Sequence, residues 1–416
     1  VSACDQCLRR GLTLELLAGY LETERARIDE LLVCSDEALV DAVVGVRGGE
    51  RGGERRGQRG GERGGKRGGE RGGKRGGERG GELRRALAEF DAETQRARIA
   101  AAGIEVVCRC SAEYPPELLG LRAPPAALYL AGSVRRLATP TAQPAVAIVG
   151  ARRASSYGIE TARSLASGLA GAGVTVVSGM ALGVDGAAHA GALEAAGGGA
   201  ATPDSGPITL HRDDADCQTI AVLPGGPDRP YPASHRHLYA GIRRAGLVVS
   251  ELPPGVRPRR WMFPARNRII AGLSTMTVVV QARSRSGALV TARYATQLGR
   301  QVGAVPGQAS SPLSAGPHAL IRGGAQLISD AQDVLDLLFG PGERSVADAR
   351  RAQLAPADAA LLDALDEGHD GHAAFVHAGL GPIQGLEAVA TLELAGLVRR
   401  LPGGRLTVTG PRPRPD

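Results

Sequence analysis

The spacing of hydrophobic positions divides the chain into segments of different kind. Over residues 11–44 apolar side chains recur at helical intervals (Leu12, Leu14, Leu16, Leu17, then Ile28, Leu31, Leu32, then Leu39, Val40, Val43), which predicts a small helical unit. Residues 83–101 repeat that spacing. Short apolar runs at 104–108 and 127–130, separated by Pro115, Pro116, Pro124 and Pro125, predict strands. From Ala145 the pattern changes. Runs rich in Val and Ile at 146–149, 174–177, 220–223, 247–249, 278–280 and 302–305 alternate with helical stretches near 157–171, 184–196, 234–245, 268–273 and 288–298. Such alternation predicts a parallel sheet covered on both faces, a Rossmann-like α/β core. Beyond Phe339 a Gly/Pro break precedes helical patterns at 357–365 and 382–396 and two short strand-like runs about Gly403 and Gly404, the outline of a C-terminal winged-helix domain.

One stretch buries nothing. Residues 48–82 repeat Gly-Gly plus charge, GGER and GGKR, a composition that predicts a disordered linker. The expected organisation is therefore a helical N-terminal region (1–47), the disordered repeat (48–82), a lead-in to the core (83–143), the Rossmann-like domain (144–339), a linker (340–355) and the winged helix (356–410). Residues 138–144 read as a linker, and 197–216, which lack either periodicity, as a surface loop.

Charge sharpens this only after it is located. The formal charge is +7, but the repeat alone holds nine Arg and two Lys against six Glu, leaving 39 basic and 37 acidic groups elsewhere. Residues 144–339 are basic in their own right, with 18 Arg against 12 acidic groups and no Lys, which suits bidentate phosphate binding. The C-terminal segment is acidic, and its helix at 382–396 has Glu387 and Glu393 with no Arg or Lys, which favours contact with a partner over duplex DNA. With no run of eighteen apolar residues and no signal-like start, a soluble, cytoplasmic protein without membrane contact is expected.

In a parallel sheet the strand carboxyl ends and helix amino ends share one edge, where unpaired N–H groups favour anions. After the first core strand come Gly150, Ala151, Arg152 and Arg153, with Ser155 or Ser156 placed to cap a helix; G-x-G-x-x-G is absent, so no dinucleotide cofactor is expected. The second loop, Ser178 to His189, contains Gly179 and then Asp185 and His189, which are either an acid–base pair or a helix cap and its brace. Pro224, Gly225 and Gly226 end the third strand as in nucleotide-monophosphate hydrolases, but Pro227, Asp228 and Arg229 follow where a Gly-Thr and a catalytic Glu belong. The stretch WMFPARNR places Phe263, Arg266, Asn267 and Arg268 just ahead of an apolar helix: Phe263 as a stacking face or core, Arg266 as a phosphate ligand or partner of Glu251, Asn267 as a base-edge or loop contact. Ser286 and Gly287 offer a second helix start. Cys4 and Cys7 form a C-x-x-C and Cys108 and Cys110 a C-x-C, which together could make a zinc site; without paired knuckles at standard spacing the expectation is reduced, partly buried thiols and no metal.

Taken together, VAIVGARRASSYG (146–158), SGMALGVDGAAHAGAL (178–193), TIAVLPGGPDRPYPASH (219–235), SELPPG (250–255), FPARNRIIAGLS (263–274), SGALVTARYATQLGRQVGAVPG (286–307) and LIRGGAQLI (320–328) resemble the DNA-processing protein A (DprA/Smf) family. The resemblance implies a non-catalytic protein that binds single-stranded DNA without sequence preference, forms a homodimer and loads a RecA-type recombinase onto incoming DNA in natural transformation. It implies that Arg152 holds phosphate and that Arg266, Asn267 and Arg268 form a second basic cluster. Ala151 and Gln281 stand where the family usually has Ser or Thr and Glu, and His235 and His318 where Asn is frequent; the repeat is foreign to it. The alternative is a nucleotide-processing enzyme on the same fold.

Overall fold

A computed structural model of the chain describes residues 3–45, 81–137, 144–195, 219–351, 354–402 and 404–409. The Gly-Arg-Glu repeat, the 138–144 linker, the loop at 197–216, Cys217 and the final residues lie wholly or largely outside these. The chain forms two compact units: Val1–Ala170 with Val174–Asp330, and Gly171–Gly173 with Ala331–Asp416.

The first unit is built on a nine-stranded sheet in the order β1-β2-β6-β5-β4-β3-β7-β8-β9. The six expected core strands form within two residues of their predicted bounds: β3 (Ala145–Val149), β4 (Thr175–Ser178), β5 (Thr219–Val222), β6 (Leu247–Ser250), β7 (Met276–Val279) and β8 (Gln301–Ala304). All neighbours among them pair in parallel. Strands β3 to β7 are buried along their whole length, so their Val/Ile runs are continuous where a one-sided sheet would alternate. Helices α4 (Ser156–Gly171), α5 (Val184–Ala195), α6 (Arg236–Ala245), α7 (Met262–Gly272), α8 (Gly287–Gln297) and α9 (Ala315–Arg322) connect them, and β9 (Gln326–Leu327) closes the parallel edge. The Rossmann-like reading holds.

The segment expected as a lead-in belongs to this sheet. Strand β2 (Ala127–Ala131) is buried throughout and pairs antiparallel with β6, Leu130 facing Val249; β1 (Glu105–Cys108) pairs antiparallel with β2. A strand apolar on both faces needs layers on both sides, so β2 extends the sheet of the core. The N-terminal helices likewise pack on the sheet unit. With α1 (Asp5–Leu16), α2 (Asp36–Gly45) and the turns between, they bury Leu14, Leu17, Leu21, Leu31 and Leu39 in one cluster with Trp261, Met262 and Ala265. Trp261 Nε1 donates to the Ala18 carbonyl at 2.9 Å. Helix α3 (Ala92–Ala101), capped by Asp91, leads into β1.

The second unit contains α10 (Ala331–Phe339), expected at the end of the Rossmann-like block, then α11 (Pro356–Asp366), α12 (His372–His377) and α13 (Pro382–Leu394). An antiparallel hairpin follows, β10 (Val398–Arg400) on β11 (Leu406–Val408). Leu361, Leu362, Phe375, Val389, Leu392 and Val398 form its core.

Strand order decides where a site belongs. From β3 the chain winds outward through β4, β5 and β6; from β7 it winds the other way through β8 and β9. The reversal lies between β3 and β7, and the loops leaving their carboxyl ends part there, opening a crevice.

Candidate functional site

A cleft of ≈ 610 Å³ occupies that crevice, walled by the loop after β3, the loop after β7 and the first turns of α7 and α8. Four exposed guanidinium groups line it, Arg152 and Arg153 from the first loop, Arg283 and Arg285 from the second. The Arg152 guanidinium lies 4.7 Å over the Phe263 ring, and Phe263 meets Tyr231 edge-to-face at 5.4 Å. Charge and an aromatic face therefore share one rim. At the start of α8 Ser286 caps the helix, accepting from Ala288 N–H, and Gly287 is exposed with no side chain to shield the first-turn amides from the cleft. That helix end favours an anion.

The other helix start is already satisfied. Asp185, in the first turn of α5, is buried in the cleft wall and accepts from the backbone N–H groups of Ala181, Gly150 and Gly179. Burial raises its pKa, and the Arg266 charge opposes the rise. At the α5 start Val184 N–H bonds the Ala151 carbonyl and Gly186 N–H the Ala181 carbonyl, and the buried carboxylate adds negative charge, so this terminus disfavours phosphate.

The FPARNR motif is placed differently from its expectation. Helix α7 begins at Met262, so these residues lie on it; Pro264 falls in its first turn, where no N–H is needed and proline is tolerated. Because α7 is buried around most of its circumference, the polar residues of the motif serve as internal braces. Arg266, 6% exposed on the cleft floor, donates from Nη1 to the carbonyls of Gly179 and Val222, both at 2.6 Å. Burial draws its pKa down to about 10, with Asp185 opposing and Arg152 reinforcing. Arg266 therefore ties α7 to the carboxyl ends of β4 and β5. Asn267 Nδ2 donates to the Gly287 carbonyl at 3.1 Å and fixes α7 against α8. Arg268, 3% exposed, takes the partner considered for Arg266: its Nη2 bonds Glu251 at 2.6 Å. It faces a separate cavity with Asp29, Arg122 and Tyr294, away from the switch-point cleft.

The remaining predicted residues fall into place around these. A side chain at Gly179 would overlap Arg266 Nη1, and a Cβ at Gly150 would stand 2.6 Å from Val184, so both glycines allow close approach of other groups. Ser155 sits beside the cleft and caps α4: Gly158 N–H donates to its Oγ at 3.3 Å, while Gln281 donates from Nε2 to the same oxygen at 2.8 Å and accepts from Ser155 N–H at 3.0 Å. Gln281 thus clamps the two cleft loops together. Arg283 and Arg285 escaped sequence reasoning; their signal was the alternation R-S-R-S-G directly after a central strand.

The acid–base pair does not assemble. His189 is wholly buried, its Nδ1 2.7 Å from Thr219 Oγ1, and burial pushes its pKa down to about 3. It does not line the cleft that Asp185 lines. Gly225 and Gly226 pack against the backbone of 253–258, with Gly226 N–H bonded to the Val256 carbonyl at 2.9 Å. Among the described residues the cysteines are free thiols, and the four weighed as a joint site do come together. Cys4, Cys7, Cys108 and Cys110 bring their sulfur atoms within 4.8 Å of one another, because α1 packs its first turn against the end of β1. Cys34 stands apart. Among the described residues no helix is long and apolar enough to cross a membrane.

The family model described as DNA recombination-mediator protein A matches residues 105–339. A putative DNA processing protein DprA of Mycobacterium tuberculosis is 41% identical over 266 residues, 61% of this chain and 61% of that one. The chain thus spans about three fifths of that relative's length. Protein Smf of Escherichia coli is 36% identical over 300 residues, 70% of this chain and 74% of its own. The X-ray structure of DNA processing protein A from Streptococcus pneumoniae superposes with a TM-score of 0.54 at 27% identity, covering 81% of this chain and 99% of that one.

Proposed function

Since the chain belongs to the DNA recombination-mediator protein A family, we propose that its switch-point cleft binds single-stranded DNA and that the protein acts as a recombination mediator without catalysis of its own. The observation that carries this reading is the joining of four exposed arginines to an aromatic rim: Arg152, Arg153, Arg283 and Arg285 beside Phe263 and Tyr231. Guanidinium groups neutralise phosphates, and an aromatic face stacks on any base, so the combination binds a strand without reading its sequence. A duplex hides its base faces, which favours single strands. The α8 amides at Ser286 and Gly287 add a phosphate seat. Arg266 and Asn267 keep this surface in register from beneath.

The finer parts of the reading are that the chain acts as a homodimer and hands its strand to a RecA-type recombinase in natural transformation. The second unit, with an acidic helix in a helix-helix-helix-hairpin order that matches a winged helix, fits a partner contact better than a duplex. The test is a competition between labelled single-stranded and double-stranded oligonucleotides at two salt concentrations, with the wild-type chain and an Arg152→Ala/Arg283→Ala/Arg285→Ala variant. Preference for the single strand, lost in the triple variant, is expected. Equal retention by wild type and variant would sink the assignment. Deleting residues 48–82 in parallel tells the cleft from the repeat: if binding vanishes on deletion, the repeat is the binding element.

A further inference from the structure

Far from the cleft in sequence, the four clustered cysteines have no part in the reading above. Cys4 is the N-cap residue of α1 and Cys7 lies in its first turn. Cys108 ends β1, and Cys110 lies in the turn after it. Cys4 and Cys7 also lie outside the segment 105–339 shared with the family. Sulfur separations are 3.8 Å for Cys4–Cys110 and 3.9 Å for Cys7–Cys110, and all four sulfurs fall within 4.8 Å of one another.

These distances discriminate among the chemistries that four thiols allow. A disulfide brings sulfurs to about 2.05 Å, and the four are free thiols. An iron–sulfur cluster holds its thiolates around a core of several atoms, wider than this group. A tetrahedral ion with metal–sulfur bonds of about 2.3 Å has sulfur–sulfur edges of about 3.8 Å, which the two measured pairs match. We propose that Cys4, Cys7, Cys108 and Cys110 form a structural zinc site of the four-thiolate type.

Three further features fit. The Cys4 N–H points to Cys108 Sγ at 3.5 Å, the kind of amide-to-sulfur bond that orients a ligating thiolate. The amino end of α1 directs its dipole at the cluster and favours negative sulfur. Cys7 and Cys108 are buried while Cys110 is exposed, so the site is closed on the protein side and open to an arriving ion. A divalent cation at the centre holds the four sulfurs as thiolates, and the displaced thiol protons leave to solvent. The consequence is a clip between α1 and the β1 edge of the sheet. It closes a loop of about a hundred residues that contains the whole low-complexity repeat, where chain entropy works hardest against closure.

The test uses the full chain purified under reducing conditions without chelator. One zinc per chain by elemental analysis is expected, released by a thiol-blocking reagent, and cobalt exchanged into the wild-type protein should show the intense charge-transfer and visible bands of tetrahedral thiolate. Cys4→Ser/Cys110→Ser should lose the metal, and Cys34→Ser should keep it. A metal-free wild type after incubation with excess zinc and desalting would overturn the proposal. So would zinc retained by the double variant, iron with inorganic sulfide in the purified protein, or octahedral cobalt bands. The cobalt spectrum is read on the wild type, so the proposal can fail even if the double variant does not fold.

Discussion

Arg266→Ala separates two roles that the sequence alone confounds. In the structure this side chain is a buried cation whose Nη1 serves two carbonyls at 2.6 Å, Gly179 after β4 and Val222 at the end of β5, and whose charge offsets the buried carboxylate of Asp185. Truncation removes this donor from two carbonyls and the offsetting charge from the buried Asp185. Hydrogen bonds from a charged donor contribute about 1.5–3 kcal/mol each, and removing one member of a buried charge pair costs about 3–5 kcal/mol. These overlap, since one guanidinium makes all the interactions, so the expected destabilisation is about 3–5 kcal/mol. At roughly 2–4 °C per kcal/mol for a unit of this class the melting midpoint falls by about 6–20 °C.

Arg152→Ala provides the contrast. Arg152 is exposed, with its guanidinium over the Phe263 ring, so its removal should leave stability within about 0.5 kcal/mol while weakening DNA binding. Differential scanning calorimetry and anisotropy titration on both variants make the comparison. If Arg266→Ala melts within about 1 °C of wild type yet loses affinity for DNA, Arg266 acts at the surface and the brace argument is refuted.

Other consequences are checked more simply. If the four exposed arginines each neutralise one phosphate, log K against log salt should have a slope of about −3 for a single strand and lose about 0.7 for each Arg→Ala; a slope near zero in wild type contradicts phosphate binding. Phe263→Ala should weaken binding about 5- to 150-fold, from a loss of about 1–3 kcal/mol of stacking, with little change in the salt slope. Gly179→Ala forces a methyl onto Arg266 Nη1 and should reproduce the instability of Arg266→Ala without altering any charge; an unchanged melting midpoint argues against the fit. The pKa of His189 falls from 6.5 to about 3 on burial, so between those values the unfolded chain takes a proton that the folded chain refuses. Its contribution to stability is full above pH 6.5 and declines as pH falls, by about 2 kcal/mol at pH 5. Asp185, raised by burial, acts in the opposite sense, so the measurement is the difference in pH dependence between wild type and His189→Gln. A folded-state His189 resonance titrating near 6.5 would refute it.

The parallel core was legible because its strands are buried on both faces, and runs such as AVAIV and LVVS have no other stable place. The β1–β2 extension was only half legible. Its strands were seen, but antiparallel pairing with β6 depends on contacts across about 120 residues, from Leu130 to Val249. The cysteine cluster was named as a possible site but not expected, since its two halves are joined only by tertiary packing of α1 on the sheet edge. The start of α7 was placed at Arg268, where its apolar run begins, although the helix starts at Met262 and Pro264 in its first turn removes no hydrogen bond.

The candidate site shows a deeper limit of reading function from a motif. FPARNR stands out as a cluster of charge next to an aromatic, yet its residues lie on a helix buried on nearly all sides, where the cost of burying a guanidinium must be offset by hydrogen bonds and a counter-charge. That requirement ties Arg266 to the carboxyl ends of β4 and β5, and Arg268 to Glu251. A residue so constrained tolerates little change, since Gly179, Asp185 and the two strand ends must match it at once. The cleft arginines obey no such condition: Arg283 and Arg285 lie exposed on a loop, and binding a sequence-neutral polyanion asks only for charge near the right place. Specific-looking residues therefore hold the surface, and plain-looking ones are free to do the binding.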